Sequence, residues 1–382
     1  MKTVSKSVEI GGKNLTLEVG RLAGQATGAV TARYGDTMVL ATVVSSKPRE
    51  DLDYFPLQVE YVERLYAGGR IKGSRWVKRD GRPTEEATLT ARLIDRSIRP
   101  LFPEGYRNET QMIITVLSVD AENDADIPAI CAASAALAIS DIPWNGPVGG
   151  VRLGFVPKNG EGSFVVNPTY QDLEYSHLDL IVSATNKAVI MLEGGAKEIS
   201  EKTFLQGIEQ AQKEVKKVIS LIESLAKEVG KKKQSFEAKN IDAILMKKIE
   251  KELGKKLEAL VETMAAKEGT GKTLDEIHEA LQEKYPEEKK DTIVKIVDKL
   301  IKKTIRTNIL EKNKRPDGRK STEIRPIDIE IGLLPRTHGS AMFKRGNTQA
   351  LTVTTIGSPS LEQLIENMEG EETKRYIHHY YM

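Results

Sequence analysis

The sequence predicts an α+β protein in three parts: a strand-rich first domain, an all-helical domain, and the opening of a second copy of the first. Alternating apolar residues, broken by glycine turns, recur through residues 1–229. Residues 240–308 carry only the helical period. The stretch Gly28-Ala-Val-Thr-Ala-Arg-Tyr-Gly-Asp-Thr-Met-Val-Leu-Ala-Thr42 then aligns without a gap on Gly339-Ser-Ala-Met-Phe-Lys-Arg-Gly-Asn-Thr-Gln-Ala-Leu-Thr-Val353.

At 382 residues the chain exceeds one ordinary core, so two or three domains are expected. Its 39% hydrophobic and 29% charged residues fit a globular protein. A net charge of +2 leaves any affinity for polyanions to local patches. The single cysteine, Cys131, excludes a disulfide framework and a cysteine-based zinc site. No apolar run approaches the roughly 20 residues needed to span a bilayer. The N-terminus is polar with no signal peptide, which places the protein in the cytoplasm, away from membranes.

Within the first domain, Val8 and Ile10 alternate up to the turn Gly11-Gly12, and Leu15, Leu17 and Val19 resume the alternation. Gly28–Arg33 and Thr37–Val44 form a second hairpin across Tyr34-Gly35-Asp36. The second arm is nearly all apolar or β-branched, so it is expected to be central and buried on both faces. Leu57, Val59 and Tyr61 mark another strand. Pro83-Thr84-Glu85-Glu86 opens a helix, with a hydroxyl cap and acids in its first turn. Ala87, Ala91, Ile94 and Ile98 are its expected buried face, and Pro100 and Pro103 end it. A strand over Gln111–Val119 precedes an Ala/Ser-rich helix over Pro128–Ser140. Asn145–Gly150 divides the domain into parts at 1–145 and 146–229, read as two βαβ-like halves. Hairpins at 151–166 and 179–193 and a helix from near Glu198 to Val229 complete it.

From 240 to 308, apolar runs begin at Ile241, Ile244, Leu245 and Ile249, at Leu274, Ile277 and Leu281, and at Ile293, Ile296, Val297, Leu300 and Ile301. Gly254 and Gly269–Gly271 separate them. Their lysines and glutamates read as solvated faces laced by i,i+4 pairs. The third segment, 315–382, opens at the charged turn Arg315-Pro-Asp-Gly-Arg319. In it Glu330-Ile-Gly-Leu-Leu repeats Glu18-Val-Gly-Arg-Leu with one residue of slip. The second copy reaches Met382 only about 65 residues in, with the opening hairpins of a domain and none of the rest. A half-sheet leaves edges and an apolar face uncovered, so a fragment or truncated gene is expected.

The strongest functional signal is the glycine-punctuated stretch Ala67-Gly-Gly-Arg-Ile-Lys-Gly-Ser-Arg-Trp-Val-Lys-Arg-Asp-Gly-Arg-Pro83. Lys72, Arg75, Lys78, Arg79 and Arg82 can each neutralise a phosphate, and Trp76 offers a face for base stacking. The competing reading is a solvated basic loop. Arg92, Arg96 and Arg99 follow at i, i+4 and i+7, on one face of the next helix. They face a phosphate backbone or form an ion-paired surface, with Asp95 able to pair with Arg92 or Arg99. Asp124 and Asp126 belong to an acidic turn, solvated or cation-binding. His378 and His379, adjacent on an expected strand, point to opposite faces and make no metal pair.

In domain order the chain resembles the polyribonucleotide phosphorylase (PNPase) family, bacterial phosphorolytic 3′→5′ exoribonucleases. The motifs are Gly81-Arg-Pro-Thr-Glu85, Ala91-Arg-Leu-Ile-Asp-Arg-Ser-Ile-Arg-Pro-Leu-Phe-Pro-Glu-Gly105, Ala132–Leu137, Ile142-Pro-Trp-Asn-Gly-Pro-Val148, Arg315–Arg319 and Pro335-Arg-Thr-His-Gly-Ser340. The resemblance implies an RNase PH-like (ribosomal protein S5 domain 2-like) core, the all-α domain, and the first strands of a second such core. It also implies single-stranded RNA and inorganic phosphate as substrates, Mg²⁺ as cofactor, a homotrimer, and membership of an RNA-degradation complex. The family's constriction loop, two aromatics and two arginines, falls on Trp76, Val77, Lys78 and Arg79. Val77 cannot stack and Lys78 lacks arginine's planar fork, so the grip differs here. The family's phosphate loop and metal-binding aspartates lie later in its second core than Met382. No catalytic or metal-binding residue is therefore expected in this chain, which is expected to be inactive alone. The alternative function is a non-catalytic RNA-binding or assembly module.

Overall fold

The computed structural model describes residues 3–48, 52, 54–71, 81–158, 161–236, 242–266 and 270–381. They fall into two compact units, 1–238 with 362–382, and 239–361.

In the first unit, β1 (Val4–Ile10) and β2 (Lys13–Val19) pair across Gly11 and Gly12. Both glycines have positive φ, +58° and +80°, which side chains resist at a tight turn. β3 (Gly28–Tyr34), β4 (Thr37–Pro48), β5 (Leu57–Val62) and β6 (Asn108–Ser118) complete a sheet of order β1-β2-β3-β4-β6-β5. Every pair in it is antiparallel except β5 with β6. That parallel pair needs a crossover, and α1 (Glu85–Ile98) supplies it. β4 is buried at alternate residues along its first half, not on both faces as expected. An antiparallel sheet needs cover on only one face. Here α2 (Asp126–Ile139) provides it, packed on β3 and β4. The small side chains of α2 allow close approach: a Cβ on Gly28 would stand 2.4 Å from the Ala136 carbonyl oxygen.

The second sheet has order β10-β9-β7-β8, built from β7 (Gly149–Lys158), β8 (Glu161–Val166), β9 (Leu178–Ala184) and β10 (Val189–Ala196). A short helix, α3 (Tyr170–Tyr175), precedes β9 and is absent from the sequence expectation. The pairings of this sheet are all antiparallel. Only the first half of the domain therefore contains a βαβ unit. α4 (Glu201–Val229) begins after Ser200, whose hydroxyl accepts from the Thr203 N–H, and buries Val215, Val218, Ile219, Ile222 and Leu225. It packs on β1, β7, β9 and α2, so one hydrophobic core joins both sheets.

The second unit opens with α5 (Ala243–Ala266), α6 (Thr270–Lys284) and α7 (Lys290–Lys312) around Ile249, Leu253, Leu260, Ile293, Val297 and Leu300. Ile244, expected on an apolar face, is exposed, and Ile241 lies outside the described residues. Gly254 separates two helical stretches within α5, as expected. It breaks α5 internally, with φ +41° and ψ −123°. Charged pairs bridge different helices: Lys284 to Glu252, Lys303 to Glu250 and Lys312 to Glu258, at 2.6–2.7 Å.

The internal repeat reappears in three dimensions. β11 (Ile327–Ile331), β12 (Gly339–Arg345) and β13 (Thr348–Thr354) form a sheet in that order, as β2, β3 and β4 do. Ile327 faces Arg345 as Leu15 faces Tyr34, and Gly339 faces Thr354 as Gly28 faces Val43. Gly35 and Gly346 turn the two hairpins with the same φ of +62°. The copies differ in cover. Leu17, Val39 and Ala41 are buried, whereas Ile329, Phe343 and Leu351 are exposed. A last hairpin, β14 (Gln363–Glu366) with β15 (Glu371–Lys374), belongs to the first unit.

Candidate nucleic-acid interface

Helix α1 starts where its cap is strongest. The Thr84 hydroxyl accepts from the Ala87 N–H at 2.9 Å and donates to the Glu63 carboxylate at 2.8 Å. The end of β5 and the start of α1 are thereby tied across the basic stretch. Leu93, Ile94, Ser97 and Ile98 face the core together with Ala87. Ala91, expected there, is only half-buried. At the other end the Trp144 indole donates to the Ile98 carbonyl at 3.0 Å.

The three arginines of α1 have different fates. Arg92 is exposed and makes no ion pair among the described residues. Arg96 donates to the Glu193 carboxylate and, at 3.0 Å, to the Leu192 carbonyl on β10. Arg99 serves the fold. Its guanidinium grips Asp95 at 2.6 and 2.8 Å, donates to the Leu57 carbonyl at 2.9 Å, and lies 5.7 Å from the Phe55 ring centroid. Asp95 thus pairs with Arg99, not Arg92. Arg82 is exposed at the end of the basic stretch. Lys72, Arg75, Trp76, Lys78 and Arg79 lie outside the described residues.

The aspartates of the acidic turn before α2 are ion-paired rather than freely solvated. Arg152 on β7 sits among its aspartates. It makes a two-pronged contact with Asp179, Nε to Oδ1 at 2.6 Å and Nη2 to Oδ2 at 2.7 Å, and reaches Asp124 at 2.6 Å and Asp126 at 3.6 Å. Asp126 is 5% exposed, and its carboxylate accepts the Ile127 N–H at the start of α2. Burial, then the neighbouring Asp124 charge, pushes its carboxyl up to about 8. Arg152 therefore meets more carboxylate than one guanidinium can balance, and burial favours the protonated form of Asp126. Its folded value exceeds its unfolded value, so the stability it contributes is full below about pH 4 and is lost as pH rises towards 8. Asp126→Asn is expected to flatten that slope while keeping the contact to Ile127. Urea melts at pH 5 and pH 8 check this, and an unchanged slope would remove Asp126 from the titration.

A second carboxylate, Asp120, accepts from the Asp36 and Asn123 backbone N–H groups, the Thr37 hydroxyl and the Asn123 amide. Burial opposes its ionisation, but these donors hold the carboxyl well below its usual range. It fastens the β3–β4 turn. Among the described residues no group of three or more His, Cys, Asp or Glu is placed to hold a metal ion. The acidic cluster before α2 is filled by the Arg152 guanidinium, so these described residues do not fit Mg²⁺. Residues His378 and His379 lie outside any assigned strand, each with a ring nitrogen near a tyrosine hydroxyl, Tyr376 and Tyr381 respectively.

Comparisons with known proteins fall on these same parts. The sequence model described as "3′ exoribonuclease family, domain 1" matches residues 11–143 and again 323–381, and "3′ exoribonuclease family, domain 2" matches 146–214. RNase PH-like cores of the exoribonuclease class thus account for the first domain and for the repeat of its opening strands. Residues 244–320 match "Polyribonucleotide nucleotidyltransferase, RNA binding domain". The chain belongs to the polyribonucleotide nucleotidyltransferase family. It is 46% identical over 384 aligned positions to that protein from Caldicellulosiruptor saccharolyticus, covering 100% of this chain and 54% of the relative. It is 47% identical over 384 positions to that from Roseiflexus sp., covering 98% and 51%. The chain therefore spans about half the length of the curated relatives it matches.

Proposed function

We propose that this chain supplies the RNA-guiding part of a phosphorolytic 3′→5′ exoribonuclease. The whole protein would shorten single-stranded RNA with inorganic phosphate, release nucleoside diphosphates, use Mg²⁺, and work in mRNA turnover as a cytoplasmic homotrimer. The carrying observation is Arg92 on α1, exposed and without an ion pair among the described residues, in the helix that follows the basic stretch. Arg96 stands one turn further on. A guanidinium left free in water is available to a phosphate, whereas Arg99 is consumed by carbonyls and Asp95. The name of the model matched by residues 244–320 makes the helical unit a second candidate. Its Lys284, Lys303 and Lys312 pair with glutamates, and α1 with the basic stretch is preferred for the arginines it concentrates. The chain spans about half of its relatives' length, and the chemistry is assigned to the part it does not span.

Arg92→Ala should weaken poly(A) binding about fivefold, the equivalent of roughly 1 kcal/mol for one exposed charge contact, with the melting temperature unchanged. Unaltered affinity at low salt would take α1 out of the RNA path. The same change at Arg99 should lower stability instead.

A further inference from the structure

The β14–β15 hairpin packs against the two segments that flank residues 72–80. Its tip is self-built, with the Glu369 and Gly370 N–H groups both donating to the Asn367 side chain at 2.9 and 2.8 Å. Met368 at that tip is 5% exposed, in a core otherwise made by the first domain. Its carbonyl oxygen lies 1.8 Å from where a Cβ on Gly68 would stand, so the two backbones touch and no side chain fits between them. Gly68 ends the short 3₁₀ turn Leu65–Gly68, which the Val119 N–H holds by donating to the Ala67 carbonyl at 3.0 Å. Next to it Arg70 donates to the Glu369 carbonyl at 3.2 Å. Tyr170 donates its hydroxyl to the Glu369 carboxylate. On the other side of the basic stretch, Lys374 meets Glu85 in the first turn of α1 at 2.7 Å.

The contacts therefore fall on residues 65–70 before the stretch and on the start of α1 after it. The two sides are already linked by the Thr84–Glu63 hydrogen bond. We propose that the β14–β15 hairpin is a clasp that fixes both stems of the basic stretch, so that a segment some 290 residues downstream sets the distance between residues 65–70 and the start of α1. Its consequence for RNA rests on the function proposed above; the clasp itself does not. Exposed ion pairs such as Lys374–Glu85 contribute little. The grip is carried by the Met368 tip against Gly68.

The test uses the full 382-residue chain. Amide hydrogen exchange is followed in peptides covering 64–71, 81–88 and 363–374, with poly(A) affinity measured in parallel. Gly68→Ala and Met368→Ala should each speed exchange about tenfold or more in all three peptides and weaken poly(A) binding severalfold. Met368→Leu should restore both, and Lys374→Ala should change little. Exchange in β1–β4 should stay at the wild-type rate, which separates release of the clasp from unfolding. Faster exchange confined to 363–374, or no change at all, would overturn the clasp. If the wild-type chain binds no poly(A), the RNA reading fails, and the stem peptides still decide the clasp.

Discussion

Arg152→Ala should destabilise the first domain by about 3 kcal/mol, the lower end of the range for stripping the partner from buried charges. The lower end applies because Asp124 and Asp179 keep partial access to water, with side-chain exposures of 32% and 44%. Removal of the guanidinium leaves Asp124, Asp126 and Asp179 facing one another at the joint between α2, β7 and β9. The loss should be larger at pH 8 than at pH 5, where protons can replace the missing cation. Against a total stability of roughly 5–15 kcal/mol, such a loss is readily seen in a urea melt. A loss under about 1 kcal/mol would show that the cluster is not a joint at all.

Lys78→Ala with Arg79→Ala should produce the largest functional loss. Two phosphate contacts at roughly 1 kcal/mol each correspond to up to about a thirtyfold weaker affinity for poly(A). Counterion release adds a sharper criterion, because the slope of log affinity against log salt should fall by about 1.4, at ~0.7 for each phosphate contact on a single strand. A weaker affinity with an unchanged slope would mean that the pair acts through structure rather than charge. Trp76→Ala is expected to have a different signature, weaker affinity with the salt slope left in place, as for a stacking contact.

The parts of this fold that sequence reveals are those held by neighbours in sequence. Glycines fixed the turns at Gly11-Gly12, Gly35 and Gly346, alternation fixed the strands between them, and Thr84 with its following acids marked the start of α1. The repeat was visible as aligned residues, and its strand register follows from the same turns. The site was less legible, because partners distant in sequence decide what a charge does. Arg99 looks like Arg92 on a helical wheel, and only the carbonyls of Phe55 and Leu57 draw it into the fold. Asp124 and Asp126 read as a solvated turn because Arg152 and Asp179 lie about 30 and 55 residues away. The clasp was missed for the same reason, although Asn367-Met-Glu-Gly370 between two short polar strands is a hairpin signal that could have been read.

The division between guiding RNA and cleaving it can be tested with one incubation. The purified 382-residue protein is mixed with poly(A), inorganic phosphate and Mg²⁺, and retained RNA and released ADP are measured together. Retention of poly(A) without release of ADP is the predicted result, since cleavage is assigned to the part of the relatives that this chain does not span. Phosphate-dependent release of ADP would contradict it.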